Sequence, residues 1–289
     1  MSDSPIALIA KPKLNPRKIW LIVFEVLMIL VAIAFIYPTI YVVMNSFKPS
    51  AEIQLNPAGF PKAPTLSNYA QVWATEGSGG ISFFKALLNT LTLTVGSVAG
   101  IILLSSMAAY ALVRSSSRLS TVLFFSFAFF FVIPFQTIMV FLVMLVTDLK
   151  ITSTVGLIPV YIGLGIPTAI FMYHGFIKSV PISLEESAAM DGAGTLRIFF
   201  RIVLPMLAPI TATITILDIL WVWNDFLLPY ITMRTGTLVL FQFNFFGTFT
   251  KNYGALTASL VMSATPMVIL YFAMQRFFIK GIAAGAVKG

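Results

Sequence analysis

The 289-residue chain has no cysteine, a single histidine and only ten acidic residues. Lacking cysteine, it has no disulfides, no thiolate nucleophile and no Cys-ligated metal, although that absence assigns no redox compartment. The lone histidine, His174, excludes a His-pair metal centre and reads as helix packing. Charged residues make up only 10% of the chain, against about 25% in an ordinary soluble domain. What takes their place is apolar: 58% of residues are hydrophobic, 27 are Phe, and the mean hydropathy is +0.96. That is more apolar surface than a soluble core of this size buries, so membrane lipid is the implied solvent. A net charge of +8 would suit nucleic acid, but the 18 Lys and Arg are scattered at segment ends. They form no basic stripe interleaved with aromatics, which excludes a nucleic-acid partner.

A transmembrane helix needs about 20 mostly apolar residues, because only a helix satisfies its backbone internally across roughly 30 Å of hydrocarbon. Six segments meet this requirement: Ile19 to Val43, Leu87 to Val113, Thr121 to Val146, Thr154 to Ile177, Ile202 to Leu228 and Leu256 to Phe278. The fold class is therefore an all-α membrane protein with about six transmembrane helices. Of the 18 Lys and Arg, twelve flank the spans on one side and six on the other. The richer side is cytoplasmic by the positive-inside rule, which places both termini there. The chain divides into a cytoplasmic segment 1–18, a membrane domain 19–278 and a cytoplasmic tail 279–289. External loops cover 48–83 and 234–254, the first an ordered loop of turns leading to a flexible Gly link, and a cytoplasmic loop covers 178–201. Ala32-Ile33-Ala34 after a basic stretch also fits a signal-peptide cleavage site, but the apolar run continues unbroken to Val43.

The cytoplasmic loop is far longer than a connection between adjacent helices needs to be. Ser183 and Glu186 stand at the spacing of a capping box, which predicts a two-turn helix starting at Leu184. Ser187, Ala188 and Ala189 make its middle small, and Gly192 and Gly194 can take the left-handed conformation that ends a helix. So short a helix is marginal alone. Docking on another protein and lying on lipid headgroups both fit it.

Here the chain resembles the inner-membrane permease subunits of binding-protein-dependent ABC importers, in the branch for maltose, other oligosaccharides and glycerol phosphate. The resemblance rests on Glu186-Ser187-Ala188, Asp191-Gly192-Ala193 and Leu204-Pro205, which are similar to that family's EAA loop. It extends to Asn45-Ser46-Phe47-Lys48-Pro49, Leu66-Ser67-Asn68-Tyr69, Ala108-Ala109-Tyr110-Ala111 and Trp223-Asn224-Asp225-Phe226-Leu227. Ser187 departs from the family's usual Ala. The resemblance implies a type I ABC importer permease fold. It also implies that Glu185, Glu186, Ser187, Ala188, Asp191, Gly192 and Ala193 form a coupling helix seated in a groove of an ATP-binding subunit. It implies two ATP-binding subunits, a second and different permease chain, a soluble substrate-binding protein and a carbohydrate substrate, in a bacterial inner membrane. The chain has no Walker A pattern and is not itself an enzyme; ATP and Mg would be bound by the partners, with no cofactor in this chain.

Ionisable groups inside spans are functional candidates by default. Glu25 is near enough to the cytoplasmic end of span one to reach the interface. Asp218 and Asp225 are seven apart, so with Trp221 and Asn224 they can share a face of span five, which Pro205 and Pro209 would bend. Asp218, Trp221, Trp223, Asn224 and Asp225 form the candidate translocation path: aromatic faces suit sugar rings, and amides and carboxylates suit hydroxyls. An interfacial aromatic belt or pairing with another subunit also fits these residues. An ion-coupled secondary transporter or a channel for a small polar solute is the alternative, but the chain lacks a relay of buried carboxylates and histidines and shows no evident internal repeat. The patterns HExxH and GxSxG are absent too, which counts against an intramembrane enzyme.

Overall fold

The computed structural model describes residues 16–77, 79–233, 236–246 and 252–286. Most of the 1–18 segment, Arg234, Lys251 and Lys288 lie outside the described residues. The described residues are mostly helical. Helix α1 (Pro16–Ser46) leads into α2 (Ser50–Leu55) and α3 (Ser67–Ala74), then a short antiparallel hairpin of β1 (Glu76–Gly77) and β2 (Ile81–Ser82). The Gly link expected to be flexible is thus a hairpin, turned by Gly79 and Gly80 at positive φ. Next come α4 (Phe83–Arg114), α5 (Arg118–Val132), α6 (Phe135–Asp148) and α7 (Thr154–Ile177).

After a turn come α8 (Ile182–Met190) and α9 (Thr195–Ile198), a π-helical turn over Phe199–Val203, and α10 (Leu204–Met206). The chain ends through α11 (Ala208–Asn224), α12 (Leu227–Thr232), α13 (Leu238–Gln242) and α14 (Tyr253–Ala286). The last helix thus runs well past Phe278. Among the described residues four helices, within α1, α4, α7 and α14, are long and apolar enough to cross a membrane. Two bent pairs complete six if each is one span: α5 with α6 at 98°, and the α9–α10 segment with α11 at 76°.

Both bends have proline at or within two residues of the break. Pro134 separates α5 from α6, so the expected span Thr121 to Val146 is two helices. In span five the break falls at Leu207, between Pro205 and Pro209, as expected from those prolines. The helix also stops at Asn224, because Asp225 is extended, and resumes as α12.

The centre of the bundle is α4 against α7. Ile158 and Ile162 pack directly on Gly96 and Gly100, and a Cβ at Gly100 would lie 2.2 Å from the Ile162 Cδ1. Small residues at that seam let the two backbones close without a hydrophobic drive, which lipid removes. Around it one core gathers Ile101, Ile170, Tyr173, Phe199, Leu207 and Ile214, and another gathers Leu93, Leu157, Tyr161, Val222 and Leu228. Helix α1, by contrast, is exposed along nearly its whole length, which suits a lipid-facing element.

The segment after α1 is ordered by polar contacts. Lys48, one of the six charges on the poorer side of the charge count, is fully buried, and its Nζ donates to the carbonyls of Asn56 and Pro57. Asn68 Nδ2 donates to the carbonyls of Ser46 and Lys48, both at 2.8 Å. Ser50 and Gln71 then reach Asn252 beside the start of α14. The motifs Asn45-Ser46-Phe47-Lys48-Pro49 and Leu66-Ser67-Asn68-Tyr69 are thus two halves of one clasp.

Candidate functional site

The 178–201 loop does form a short helix, but it starts earlier than the capping-box spacing predicts. Pro181 is the N-cap, helix α8 begins at Ile182, and no side chain caps it. Ser183 is therefore inside the first turn, where its carbonyl accepts from Ser187 Oγ at 2.8 Å. This corrects the assignment of Ser183 as helix cap: Pro181 fixes the turn into the helix two positions before the hydroxyl could serve. At the other end Gly192 has φ +82°, and its amide donates to the carbonyl of Ala189. A glycine takes this left-handed backbone without steric cost. Gly194 has φ −73° and serves instead as N-cap of α9.

Along α8 one side chain is buried, that of Glu185. Its carboxylate is gripped from the last turn of α4. Tyr110 OH donates to Oε2 at 2.8 Å, and Arg114 donates from Nε and Nη2 to Oε1 at 2.9 and 2.6 Å. Arg114 Nη2 also donates to the carbonyl of Val180 at 3.1 Å. Charge-assisted bonds of this kind are among the stronger contacts available. Glu185 thus faces the bundle, while Glu186, Ser187, Asp191 and Gly192 are exposed, and Ala188 and Ala193 half-buried. The exposed side also carries Ile182, Leu184, Met190 and Leu196. Tyr110 and Arg114 were not singled out as site residues. Their spacing of four on one helix face was the available signal, but nothing local pointed to a carboxylate 71 residues on.

The candidate path residues divide into separate groups. Trp221 meets Tyr161 edge-on, with ring centroids 5.5 Å apart, and Tyr161 OH donates to Asp225 Oδ2 at 2.7 Å. Asp225 Oδ1 accepts from the amide of Leu227, fixing the restart of the chain into α12. Asn224 is exposed, with its amide on the carbonyl of Leu220. Trp223 belongs elsewhere: it is 3% exposed, packed with Phe83, Leu238 and Phe241, and its Nε1 donates to the carbonyl of Ser263. Asp218 is likewise buried, at 8% exposure. The expectation that Asp218, Trp221, Asn224 and Asp225 share one face is corrected accordingly. The helix ends at Asn224, so Asp225 leaves the helical face on which Asp218 sits. Tyr161, missed in the sequence, completes the polar group on which Asp225 depends. His174 stacks on Phe124 at 3.6 Å between centroids, which is a packing role. Glu25 is on the exposed surface of α1.

Residues 101–284 match the family model of the binding-protein-dependent transport system inner membrane component. The chain is 37% identical over 263 residues to the probable starch degradation products transport system permease protein AmyC of Thermoanaerobacterium thermosulfurigenes, covering 90% of this chain and 94% of that one. It is 35% identical over 270 residues to the multiple sugar-binding transport system permease protein MsmG of Streptococcus mutans, covering 91% and 95%. Among solved structures it resembles a chain of a bacterial ABC transporter involved in the import of the acidic polysaccharide alginate, with TM-score 0.77 and 24% identity. That likeness covers 93% of this chain and 100% of that one, and concerns the fold.

Proposed function

The chain belongs to the binding-protein-dependent inner-membrane transport family, a permease subunit without an ATPase of its own, and from this we propose that it passes an oligosaccharide into the cytoplasm by alternating access. The observation that carries the mechanism is α8. It is a two-and-a-half-turn helix held from inside by Glu185 while its outer residues, apolar ones included, face away from the bundle. A helix this short is stable only when clamped, and its open side suits the groove of an ATP-binding subunit. Two such subunits, with ATP and Mg, would close and reopen, and the movement of α8 would switch the bundle between inward-open and outward-open forms. A second permease chain, different from this one, completes the membrane pair, with both termini and α8 on the cytoplasmic side.

The substrate class rests on relatives that carry starch degradation products and multiple sugars in their names. The group Tyr161, Trp221 and Asp225 suits it: an aromatic face for a sugar ring and a carboxylate for hydroxyls, with Asn224 exposed beside them. The decisive experiment is to purify the chain with its partners and measure ATP hydrolysis with candidate binding proteins and ligands. We expect a sugar-loaded binding protein to stimulate hydrolysis. Stimulation by glycerol phosphate and by no sugar, or uptake that follows an ion gradient without ATP, would overturn the reading.

A further inference from the structure

We propose that α4 is the transmission rod of the subunit, hooked to α8 at one end by Glu185 and to the 236–238 segment at the other by Asn89 and Thr90. This rests on α8 being the element that the ATP-binding subunit moves.

Stiffness singles out α4 first. Of the four long helices, α1 contains Pro38, α7 contains Pro159 and Pro167, and α14 contains Pro266. The remaining two spans are broken outright. Only α4 runs 32 residues without a proline, so its hydrogen-bond ladder is continuous over about 48 Å. A helix with an intact ladder carries a displacement along its length; a kinked one absorbs it by bending.

Its ends are both tied by specific bonds. At the Arg114 end the tie is the Glu185 carboxylate, with both oxygens occupied. The guanidinium also binds the Val180 carbonyl, so it holds the chain on either side of Pro181. This is the one ion pair among the described residues, with side chains 19% and 9% exposed. A partly desolvated pair fixed in this way holds position, because parting the charges leaves each without a partner. Glu185 is therefore a positioning residue that passes on movement of α8, and Glu186, exposed beside it, is the residue left to meet the ATPase.

Asn89 and Thr90 do the same at the opposite end. Thr90 Oγ1 donates to the Ala86 carbonyl and accepts the amide of Leu238, both at 2.9 Å, and Asn89 Nδ2 donates to the Gly236 carbonyl at 2.9 Å. The segment they grip enters α13, whose Phe241 packs edge-on against Phe83, the first residue of α4. Directly after α13, Phe243 stacks on Phe226 at 4.7 Å, and Phe226 follows Asp225 in the chain. The rod thus joins the coupling helix to the neighbourhood of Tyr161, Trp221 and Asp225 over a span from Thr90 to Arg114 of about 36 Å.

The test uses the full complex of permease pair, ATP-binding subunits and binding protein in proteoliposomes. The variants are Glu185→Gln, Thr90→Val, Thr90→Ser and the double Glu185→Gln/Thr90→Val. The readouts are ATPase subunit retained and sugar transported per ATP hydrolysed. We expect Glu185→Gln and Thr90→Val each to retain the ATPase and to lower sugar per ATP at least tenfold. Thr90→Ser, which keeps the hydroxyl, should stay near wild type, so that the loss in Thr90→Val is traced to the bond and not to misfolding. Because both hooks serve one path, the double variant should be no worse than the poorer single. Multiplying losses in the double, loss of the ATPase in Glu185→Gln, or wild-type sugar per ATP in either single would overturn the rod. Failure of the coupling-helix reading itself would show differently, as a Gly192→Leu complex that keeps its ATPase.

Discussion

Gly192 separates what the loop needs for its own geometry from what a partner needs of it. Its φ of +82° is one that L side chains adopt at a cost, and a Cβ built on it meets no atom within 4 Å. Inside this chain, therefore, Gly192→Ala and Gly192→Leu should pay a similar backbone strain, about 1–2 kcal/mol, because the added Cβ is in open space and the position is exposed, which leaves a longer side chain free to point outward. A cost of that size shifts a local equilibrium by a factor of about 5 to 30. Asn visits the left-handed region more readily and should fall between Gly and Ala. If α8 docks in a groove, Leu must add a steric penalty that Ala does not, since the open space beside Gly192 is where the partner would be. The assay is ATPase subunit retained per permease after affinity purification, alongside thermal unfolding of the permease alone. We expect equal melting temperatures for Ala and Leu, retention reduced several-fold in Ala, and retention nearly abolished in Leu. Wild-type retention in Gly192→Leu would show that the loop is only a connector, and equal retention in Ala and Leu would remove the partner surface from beside Gly192.

Three further outcomes are expected. Tyr161→Phe and Asp225→Asn should each lower sugar uptake roughly tenfold, since a buried polar group left without its partner costs about 1–3 kcal/mol, whereas Glu25→Ala, on the exposed face of α1, should leave it unchanged; equal uptake by all three at equal membrane abundance would take Asp225 out of the path. Cysteine labelling suits a chain that has none: an impermeant thiol reagent on intact cells should modify Cys at position 62 and spare Cys at 192, and the reverse pattern would invert the topology. Gly100→Val should lower the melting temperature of the detergent-solubilised protein, since overpacking costs about 1–3 kcal/mol and a Cβ there would lie 2.2 Å from Ile162; Gly163→Val, where a Cβ meets nothing within 4 Å, is the matched control, and equal melting of the two would refute the close α4–α7 seam.

The helical membrane fold was legible because hydrophobic runs are a one-dimensional signal, and the spans Leu87 to Val113 and Thr154 to Ile177 lie within or on the bounds of α4 and α7. The bend at Leu207 was legible too, since two prolines bracket it. The break at Pro134 was not, because hydropathy stays high across Ile133-Pro134-Phe135 and conceals a turn. In the loop, the left-handed Gly192 was readable from residue type. The cap at Ser183 was misread, because the capping-box spacing carries no information on where the preceding proline starts the helix. Contacts between distant residues were out of reach. Glu185 with Arg114 and Tyr161 with Asp225 are separated by 71 and 64 residues, and neither member of a pair announces its mate. Trp221 and Trp223 look alike in sequence, yet two positions around a helix turn one toward Tyr161 and the other into the core with Phe83.

The long α1, exposed along nearly its whole length, has a consequence for bilayer thickness. Its candidate span Trp20–Ser46 has 27 residues, a length of about 40 Å against roughly 30 Å of hydrocarbon. Hydrophobic mismatch of that kind is relieved by tilting or kinking of the helix, or by thickening of the surrounding lipid. Among the long helices α1 packs along α14, while its last residues are pinned by Asn68. The lean is therefore set at one end by the protein and at the other by acyl-chain length. Reconstitution in short-chain lipids should tilt α1 further about the pinned end and strain its seam with α14, so that the same complex turns over differently in thin and thick membranes.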